Sequence, residues 1–382
     1  MVCRFPLLVR IIPESTIQIS RSSSKSWHPI SLSINYPTTT TTTPLQYLHC
    51  YHTTAARGAL ASEAMTQDTL AEIPPPKDPK DPKDPTPFKF GTRLLTDPSS
   101  VFEHNAWDHV ETDEAYRATS AAQISFQRSR PVDPFNKQRF NSDPAKWWDA
   151  FYKNNTTNFF KDRKWLHQEF PLLEALTSQG AGRATIVELG CGAGNTFFPV
   201  LRLNGNEELC LHGCDFSRKA VELVRGQEEF RKEVERGVRV CASVYDLSQR
   251  DTLPEGVAEG SVDAVIMVFV FSALSPEQWA DALANVRRML KIGGKVLFRD
   301  YGRGDLAQVR FKAGRYLEEN FYVRGDGTRV YFFDEDELST FPKGDFGGFK
   351  INNIGVDRRM LVNRKTQVKM YRCWMQAVLE KL

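Results

Sequence analysis

The sequence lacks the patterns that mark membrane-spanning and metal-binding proteins. Within its 382 residues, no stretch stays apolar for the roughly 18 residues that a helix needs to cross a bilayer. The longest apolar run, AVIMVFVF, has the size of one buried strand. The seven cysteines form no CxxC pair, and Cys210 and Cys214 have no histidine cluster beside them. We therefore expect no membrane contact, no metal site, and buried thiols in a reducing compartment.

Net charge is also low, and one segment accounts for it. The chain carries a formal charge of +3, and residues 1–64 hold five basic side chains against two acidic ones. The remainder is near neutral, so only local clusters can argue for a nucleic-acid partner. The Arg- and Ser-rich leader has the composition of a mitochondrial transit peptide. The alternative is that translation starts at Met65, and we therefore expect a cytoplasmic location, a mitochondrial one, or both.

The first part of the chain is poor in large apolar residues. NYPTTTTTTPLQ is a threonine tract, and IPPPKDPKDPKDPTP is a proline and charge repeat. Such segments bury too little apolar surface to offset the entropy lost on ordering. We predict a disordered leader over residues 1–64 and a disordered Pro/Lys/Asp-rich linker over residues 65–100. Regular apolar periodicity begins near Asp133, which leaves roughly 250 residues, enough for one buried core.

Two common nucleotide motifs are absent from the glycine-rich segment IVELGCGAGNTFF, residues 186–198. The pattern Glu-x-Gly-x-Gly-x-Gly lacks the final glycine spacing of a dinucleotide site, and no Lys-Ser/Thr follows it as in a phosphate loop. An acid followed by glycines suits a ligand without phosphate, and S-adenosylmethionine is such a ligand. Gly190 and Gly192 would let the backbone approach its methionine and ribose parts.

Acidic residues follow the next two predicted strands. LCLHGCDFS ends near Asp215, where a carboxylate can accept from both ribose hydroxyls. VRVCASVYDLS ends near Asp246, which is placed to accept from the adenine amine, with Leu247 packing on the ring. The segment SPEQWADALANVRRMLKIGG predicts a helix capped by Ser275 and ended by the Gly293–Gly294 pair.

Strands and helices alternate through this region, which predicts an α/β fold with a doubly wound parallel sheet. GSVDAVIMVFVFSAL and KVLFRDYG supply the fourth and fifth strands, and the C-terminal segment reads as two strands around a basic loop. A closing hairpin of this kind completes the seven-stranded, Rossmann-like sheet of class I S-adenosylmethionine-dependent methyltransferases. That is the fold we predict.

Several long segments resemble the eukaryotic tRNA 3-methylcytidine methyltransferases. They are WWDAFYKNNTTNFFKDRKWLHQEFP, LFRDYGRGDLAQVRF and NFYVRGDGTRVYFF, and the likeness runs from about Val101 to Lys381. VFEHNAWDHVE and DRRMLVNRKTQVKMYRCWMQ are similar to the branch that modifies cytidine 32 of threonine tRNA. The resemblance implies methylation of cytidine N3 in the anticodon loop of threonine tRNA or serine tRNA. It leaves open whether an aminoacyl-tRNA synthetase presents the tRNA.

The resemblance also assigns residues to the cofactor. Trp148 and Tyr152 match an aromatic pair that closes over it, one helical turn apart. The other matching cofactor positions are Gly190, Asp215, Asp246, Leu247 and Val268. By the same likeness, residues 101–160 form a helical region that caps RNA and cofactor, and residues 161–382 form the methyltransferase domain.

The expected reaction needs no general base, because cytosine N3 carries a free lone pair at neutral pH. The product base is cationic, so a nearby carboxylate would stabilise the charge that develops. Asp300, after the fifth strand, is the predicted catalytic carboxylate, with an ion pair to Arg299 or Arg303 as the alternative reading, and Tyr301 is predicted to stack on the base. FVFSAL stands where amino-nitrogen methyltransferases of nucleobases generally carry an Asn/Asp-Pro-Pro-aromatic motif, which disfavours amino methylation.

Basic residues interleaved with aromatic ones suit contacts to phosphates and bases. The predicted RNA-binding residues lie in three such clusters: Phe160, Lys161 and Arg163; Arg303 and Arg310; and Arg358, Arg359, Arg364 and Lys365. Two other readings stay open. One is a methyltransferase for another RNA, a protein or a small molecule, and the other is a non-catalytic RNA-binding subunit on the same fold.

Overall fold

A computed structural model describes residues 91–340 and 347–382. The predictions for the leader, and for residues 65–90 of the linker, lie outside the described residues. The last ten residues of the expected linker are folded, because Leu94 bridges to Asp108 and a short 3-10 helix spans Pro98–Phe102. The boundary predicted at residue 100 is therefore too late.

Eleven strands and eleven α-helices are assigned within the described residues. The strands are β1 Ala106–Asp108, β2 Ala184–Leu189, β3 Leu209–Asp215, β4 Arg239–Val244, β5 Val262–Val268, β6 Leu290–Tyr301, β7 Tyr316–Glu318, β8 Phe321–Val323, β9 Arg329–Tyr331, β10 Phe349–Asn363 and β11 Val368–Lys381. The helices are α1 Glu114–Arg128, α2 Pro134–Ser142, α3 Pro144–Asn155, α4 Leu166–Glu169, α5 Pro171–Thr177, α6 Phe197–Arg202, α7 Arg218–Gly226, α8 Glu228–Glu235, α9 Trp279–Met289, α10 Leu306–Val309 and α11 Glu335–Thr340.

The central sheet confirms the predicted fold class. Its strand order is β1-β10-β11-β6-β5-β2-β3-β4, with parallel pairing from β6 through β4. The C-terminal hairpin of β10 and β11 closes the sheet in antiparallel pairing with β6. The sheet has eight strands rather than seven, because Ala106–Asp108 of the predicted capping region pairs with Arg359–Leu361. That region is thus partly strand and belongs to the main sheet.

The helix before β6 is shorter than the sequence predicts. Ser275 and Gln278 form a capping box, and α9 ends at Met289 instead of at the glycine pair. Leu290 is fully buried at the first position of β6. The gain from burying its side chain in the sheet ends the helix early, and Gly293 and Gly294 lie within the strand.

Apolar residues cover both faces of the sheet. Successive strand residues point to opposite faces, so Val265 and Met267 pack in a cluster with α9, whereas Ala264 and Ile266 pack in one with α6. A second sheet of order β7-β8-β9 adds four residues to the α9 cluster: Leu317, Phe321, Val323 and Tyr331. No helix in the described ranges is long and apolar enough to cross a membrane.

Candidate cofactor and substrate site

A cleft opens at the carboxyl ends of β2, β3, β4 and β5, with α3 on one side. Parallel α/β sheets bind ligands at this edge. The cleft is lined by Trp148, Tyr152, Leu189, Gly190, Cys214, Asp215, Phe216, Tyr245, Asp246, Leu247, Phe269, Val270, Ala273 and Leu274. Six of the eight predicted cofactor residues are among them; Gly192 and Val268 are not.

The glycine loop is packed against protein side chains. Gly190 and Gly192 have φ of +64° and +53°, in the left-handed region that favours glycine. A Cβ at Gly190 would lie 2.4 Å from Cγ2 of Val270, and one at Gly192 would lie 2.4 Å from the hydroxyl of Tyr152. These glycines therefore let Val270 and Tyr152 close the cleft, a reason that the local motif alone does not reveal.

The Asp215 carboxylate is fixed by backbone donors. The Gly192 N–H donates to Oδ2 and the Ser217 N–H donates to Oδ1, both at 2.9 Å. Burial raises the pKa of Asp215 to about 6, against the opposing effect of these two bonds. A carboxylate oxygen can accept more than one hydrogen bond, so both oxygens can still receive ribose hydroxyls from the cleft.

Asp246 is held by the residue two positions later. The backbone N–H and the hydroxyl of Ser248 donate to its Oδ1 at 2.9 and 2.7 Å. Asp246 is exposed at the cleft, whereas the adjacent Leu247 is buried beneath it. An acceptor beside an apolar wall fits the amine and the ring of an adenine.

Helix α3 is tied to the sheet by a residue that the sequence analysis missed. Asp149 Oδ1 accepts from the hydroxyl of Ser217 at 2.6 Å and from the Lys219 N–H at 3.1 Å. The rings of Trp148 and Tyr152 stack with centroids 5.9 Å apart. The predicted aromatic pair therefore lies over the cleft on a fixed helix. Asp149 could have been found from the sequence, because it lies between the two aromatic residues.

Val268 does not line the cleft, which corrects the prediction for this residue. It is 3% exposed and packs in the cluster behind the sheet. Its neighbour Phe269 has a φ of +60°, a strained conformation for an aromatic residue. This turn places Phe269 and Val270, rather than Val268, in the cleft wall.

Asp300 is also placed differently from the prediction. It is fully buried, and its carboxylate accepts from the N–H groups of Ser272 and Tyr301, both at 2.9 Å. Burial raises the pKa of Asp300 to about 6. Its bonds hold the loop that contributes Val270 and Ala273 to the cleft, so the geometry gives it a positioning role instead of direct contact with a base. The alternative reading of an ion pair is not seen either, since Arg299 pairs with Asp357 and Arg303 with Asp334.

Glu188 adds an unpaired polar atom beneath the glycine loop. It is 2% exposed at the end of β2, and its Oε2 has no hydrogen-bond partner among the described residues. Burial raises its pKa to about 8, and the nearby Arg163 opposes this shift. A cationic amino group supplied by a ligand would satisfy this acceptor. Together with Asp215 for a ribose and Asp246 for an adenine, the donor and acceptor set fits S-adenosylmethionine.

Two arginines and two aromatic rings form a row along one edge of the cleft. The Arg163 guanidinium carbon lies 5.7 Å from the Phe269 ring centroid, and that ring lies 4.8 Å from the Tyr301 ring. The Arg324 guanidinium carbon lies 5.7 Å from the Tyr301 ring. We call Arg163, Phe269, Tyr301 and Arg324 the edge row. The sequence analysis did not predict Phe269 and Arg324 as site residues. The four residues of the edge row come from four separate segments, and the residues next to each one in the chain do not show that they meet.

Arg163 differs from a solvated surface cation. It is half-buried, and its Nη1 donates to the Thr196 hydroxyl at 3.1 Å. Its predicted partners lie farther out: Phe160 is half-buried against Phe151, and Lys161 is exposed. The cluster predicted as one RNA surface is therefore divided between the cleft edge and the exterior.

The C-terminal basic residues lie on a projecting hairpin. Trp374 of β11 pairs with Tyr301, the last residue of β6. The hairpin therefore extends beyond the end of β6 by about six residues, or roughly 20 Å at the rise of a strand, and β1 pairs with it there. This part carries Arg358, Arg359, Arg364 and Lys365, of which the first two pair with Glu111 and Asp108. Arg310 reaches the same hairpin at Met370, whereas Arg303 is exposed and paired with Asp334.

The described residues hold no cluster of three or more His, Cys, Asp or Glu side chains suited to a metal ion. The described cysteines are all free. Cys191 and Cys214 are buried, as expected, but Cys241 is exposed, so the expectation of buried thiols does not hold at every position.

Three features define a class I methyltransferase that uses S-adenosylmethionine. They are the antiparallel C-terminal hairpin beside β6, the glycine loop, and the acidic residues at successive strand ends. A family model described as a methyltransferase domain matches residues 187–296. The tRNA(Thr) (cytosine(32)-N(3))-methyltransferase of Saccharomyces cerevisiae is 54% identical over 295 residues, covering 77% of this chain and 46% of that protein. A tRNA N(3)-methylcytidine methyltransferase of Schizosaccharomyces pombe is 47% identical, covering 76% of this chain and 92% of that protein.

A third relative, a tRNA N(3)-methylcytidine methyltransferase of Drosophila melanogaster, is 43% identical, covering 76% of this chain and 88% of that protein. The chain spans about half the length of the S. cerevisiae relative and most of the other two. It belongs to the tRNA N(3)-methylcytidine methyltransferase family, which confirms the resemblance seen in the sequence.

Proposed function

We propose that this protein methylates N3 of cytidine 32 in the anticodon loop of threonine tRNA, with serine tRNA as the second candidate substrate. The observation that carries the proposal is the edge row. Its two aromatic rings offer surfaces for an unstacked base, and its two guanidinium groups offer donors for phosphate or base oxygens. Such a row beside a cofactor cleft suits a nucleotide of a single-stranded loop better than a small metabolite or a peptide.

The names of the relatives support the same substrate. The S. cerevisiae relative is named for N3 of cytosine 32 in threonine tRNA, and the other two are named for N3 of cytidine in tRNA. The chain shares only about half of the S. cerevisiae protein, so the position and the tRNA are our proposals for this chain.

The protein's part in the reaction is orientation and exclusion of water. When bound, S-adenosylmethionine supplies an electrophilic methyl group. Cytosine N3 needs no deprotonation, so the site requires only that the base be held with N3 toward the cleft. Tyr301 and Phe269 would hold the ring, and Trp148 with Tyr152 would shield the cleft from solvent.

The projecting hairpin is the surface that we assign to the tRNA backbone. Arg364 and Lys365 are exposed at its end, where they can meet phosphates away from the cleft. Phosphate contacts fix register without reading sequence. The choice between threonine and serine tRNA would then depend on the loop nucleotides, on an earlier modification, or on an aminoacyl-tRNA synthetase that presents the tRNA.

The test is methyl transfer in vitro with the full chain and an isotope-labelled cofactor. The substrates are threonine tRNA purified from cells that lack the protein, its unmodified transcript, and a transcript with uridine at position 32, each with and without the cognate synthetase. We expect labelled 3-methylcytidine in the purified tRNA and none in the third substrate, as read by nucleoside mass spectrometry. Label in the unmodified transcript would show that no earlier modification is required. Label in 4- or 5-methylcytidine, or label that persists without cytidine 32, would contradict the proposal.

A further inference from the structure

Arg329 of β9 is a buried cation outside the cleft. It is 3% exposed and takes part in none of the ion pairs in the described part of the chain, and Asp246 is the carboxylate that acts on its charge. Its Nη1 donates to Asn141 Oδ1 at 3.1 Å, and its Nη2 donates to the Ala273 carbonyl at 3.1 Å and to Gln278 Oε1 at 3.0 Å. A buried cation without a close counter-ion is costly, which calls for a role that neutral packing would not fill.

A chain of hydrogen bonds leads from Arg329 to the adenine end of the cleft. Gln278 Nε2 donates to the hydroxyl of Ser248 at 2.9 Å, and that hydroxyl donates to Asp246 at 2.7 Å. The direction of the chain is fixed, because a guanidinium only donates. Gln278 Oε1 accepts from Arg329 and also from the N–H and hydroxyl of Ser275, at 2.9 and 3.1 Å. Gln278 therefore turns its oxygen to Arg329 and Ser275 and its amide N–H to Ser248.

Arg329 also touches two of the structures that wall the cleft. Ala273, whose carbonyl it binds, lines the cleft, and Asn141 lies on α2, directly before the helix that carries Trp148. A Cβ on Gly327, in the turn before β9, would lie 2.2 Å from the ring of Trp147, the neighbour of Trp148. The turn therefore packs closely against Trp147. The turn before β9 and β9 itself thus contact both sides of the cleft.

We propose that Arg329 is a positioning residue for adenine recognition. Together with Ser275 it orients Gln278, and through Gln278 and Ser248 it orients the Asp246 carboxylate toward the adenine amine. It also holds Ala273 in the cleft wall. The proposal rests on the assignment of Asp246 to adenine and not on the RNA substrate, so it can fail or succeed independently of the proposed methylation of tRNA.

The first test compares two ligands that differ at the amine. S-adenosylhomocysteine has it, and S-inosylhomocysteine carries a carbonyl oxygen in its place. Arg329→Gln should weaken S-adenosylhomocysteine about tenfold in titration calorimetry, by analogy with other single buried contacts, and should change the binding of the inosine analogue far less. Arg128→Gln, an exposed arginine paired with Glu319, is the control and should leave both affinities unchanged.

The second test works without removing the buried cation. Gln278→Glu keeps the acceptor for Arg329 but removes the donor to Ser248. We expect it to lower the preference for the adenine ligand while the protein stays folded. A double-mutant cycle of Gln278→Glu with Asp246→Asn should show that the two effects on affinity are not independent.

Three results would overturn the proposal. One is an equal loss of both ligands in Arg329→Gln, which indicates a general loosening of the fold. The second is an unchanged ligand preference in Gln278→Glu. The third is independent, multiplying effects in the double-mutant cycle. If Arg329→Gln fails to fold, the Gln278→Glu measurements decide alone.

Discussion

The buried carboxyl of Glu188, whose Oε2 has no hydrogen-bond partner among the described residues, should make the ligand-free protein less stable than it could be. Its pKa is raised from 4.5 to about 8 by burial. A raised pKa means that stability present at low pH is lost as pH rises through the folded-state value. At about 1.4 kcal/mol per pKa unit, this loss reaches at most about 3 kcal/mol at pH 7. Glu188→Gln cannot ionise and should therefore be the more stable protein at neutral pH.

The pH window separates Glu188 from the other buried acids. Asp215 and Asp300 have pKa values raised to about 6, so most of their effect ends below pH 7. The difference in free energy of unfolding between wild type and Glu188→Gln should grow between pH 5 and pH 8. The same variant should bind S-adenosylhomocysteine more weakly, because the amino group loses its anionic partner.

Thermal and urea unfolding of the two proteins across this pH range is the assay. Arg163 limits the gain, because Glu188→Gln removes a negative charge that favours the charged form of its guanidinium. A variant that is less stable than wild type at pH 7.5, or one whose stability falls with pH as steeply as that of wild type, would refute the reasoning. Either result would mean that Glu188 is ionised and satisfied in the ligand-free protein.

Three further predictions follow from the placement of other residues. Asp300→Ala should lower both cofactor affinity and turnover, because the N–H of Ser272 loses its acceptor and the cleft wall loosens. Full cofactor affinity with turnover reduced about 10²-fold or more would instead indicate a direct catalytic role for Asp300. Arg364→Ala should weaken tRNA binding and reduce its salt dependence by about one phosphate contact, while turnover at saturating tRNA is kept; a loss of turnover at saturation would remove this residue from the backbone surface. A protein starting at Met65 should methylate tRNA as the full chain does, and its fluorescent fusion should not reach mitochondria. An inactive protein, or a fusion located as the full chain is, would contradict our interpretation of the leader.

The sequence predicts the sheet and the loops at its edge because these depend on local patterns. Glycine spacing and acids after apolar runs were enough to place Gly190, Asp215 and Asp246 at one cleft. Val268 was assigned by resemblance, but strand alternation places it with Ala264 and Ile266 in the cluster away from the cleft. The positive φ of Phe269, which the residue type does not suggest, places Phe269 and Val270 in the cleft wall instead.

Long-range pairing explains what else escaped prediction. Asp300 stands at a strand end, where a carboxylate can face either the cleft or the interior, and the N–H of Ser272 from another segment decides between them. Arg329 has no motif around it, and its partners Asn141 and Gln278 lie far away along the chain. Helix α9 ended early because Leu290 is buried by the sheet, a contact that helix-capping rules do not include.

The most direct test of the proposed function is the modification state of threonine tRNA in cells. Threonine and serine tRNAs would be purified from cytosolic and mitochondrial fractions of cells that lack the protein, and of the same cells complemented with wild type or with Asp215→Ala. Our account predicts that 3-methylcytidine at position 32 of threonine tRNA disappears, returns with wild type, and does not return with Asp215→Ala. Unchanged 3-methylcytidine at position 32 in both tRNAs without the protein would contradict it.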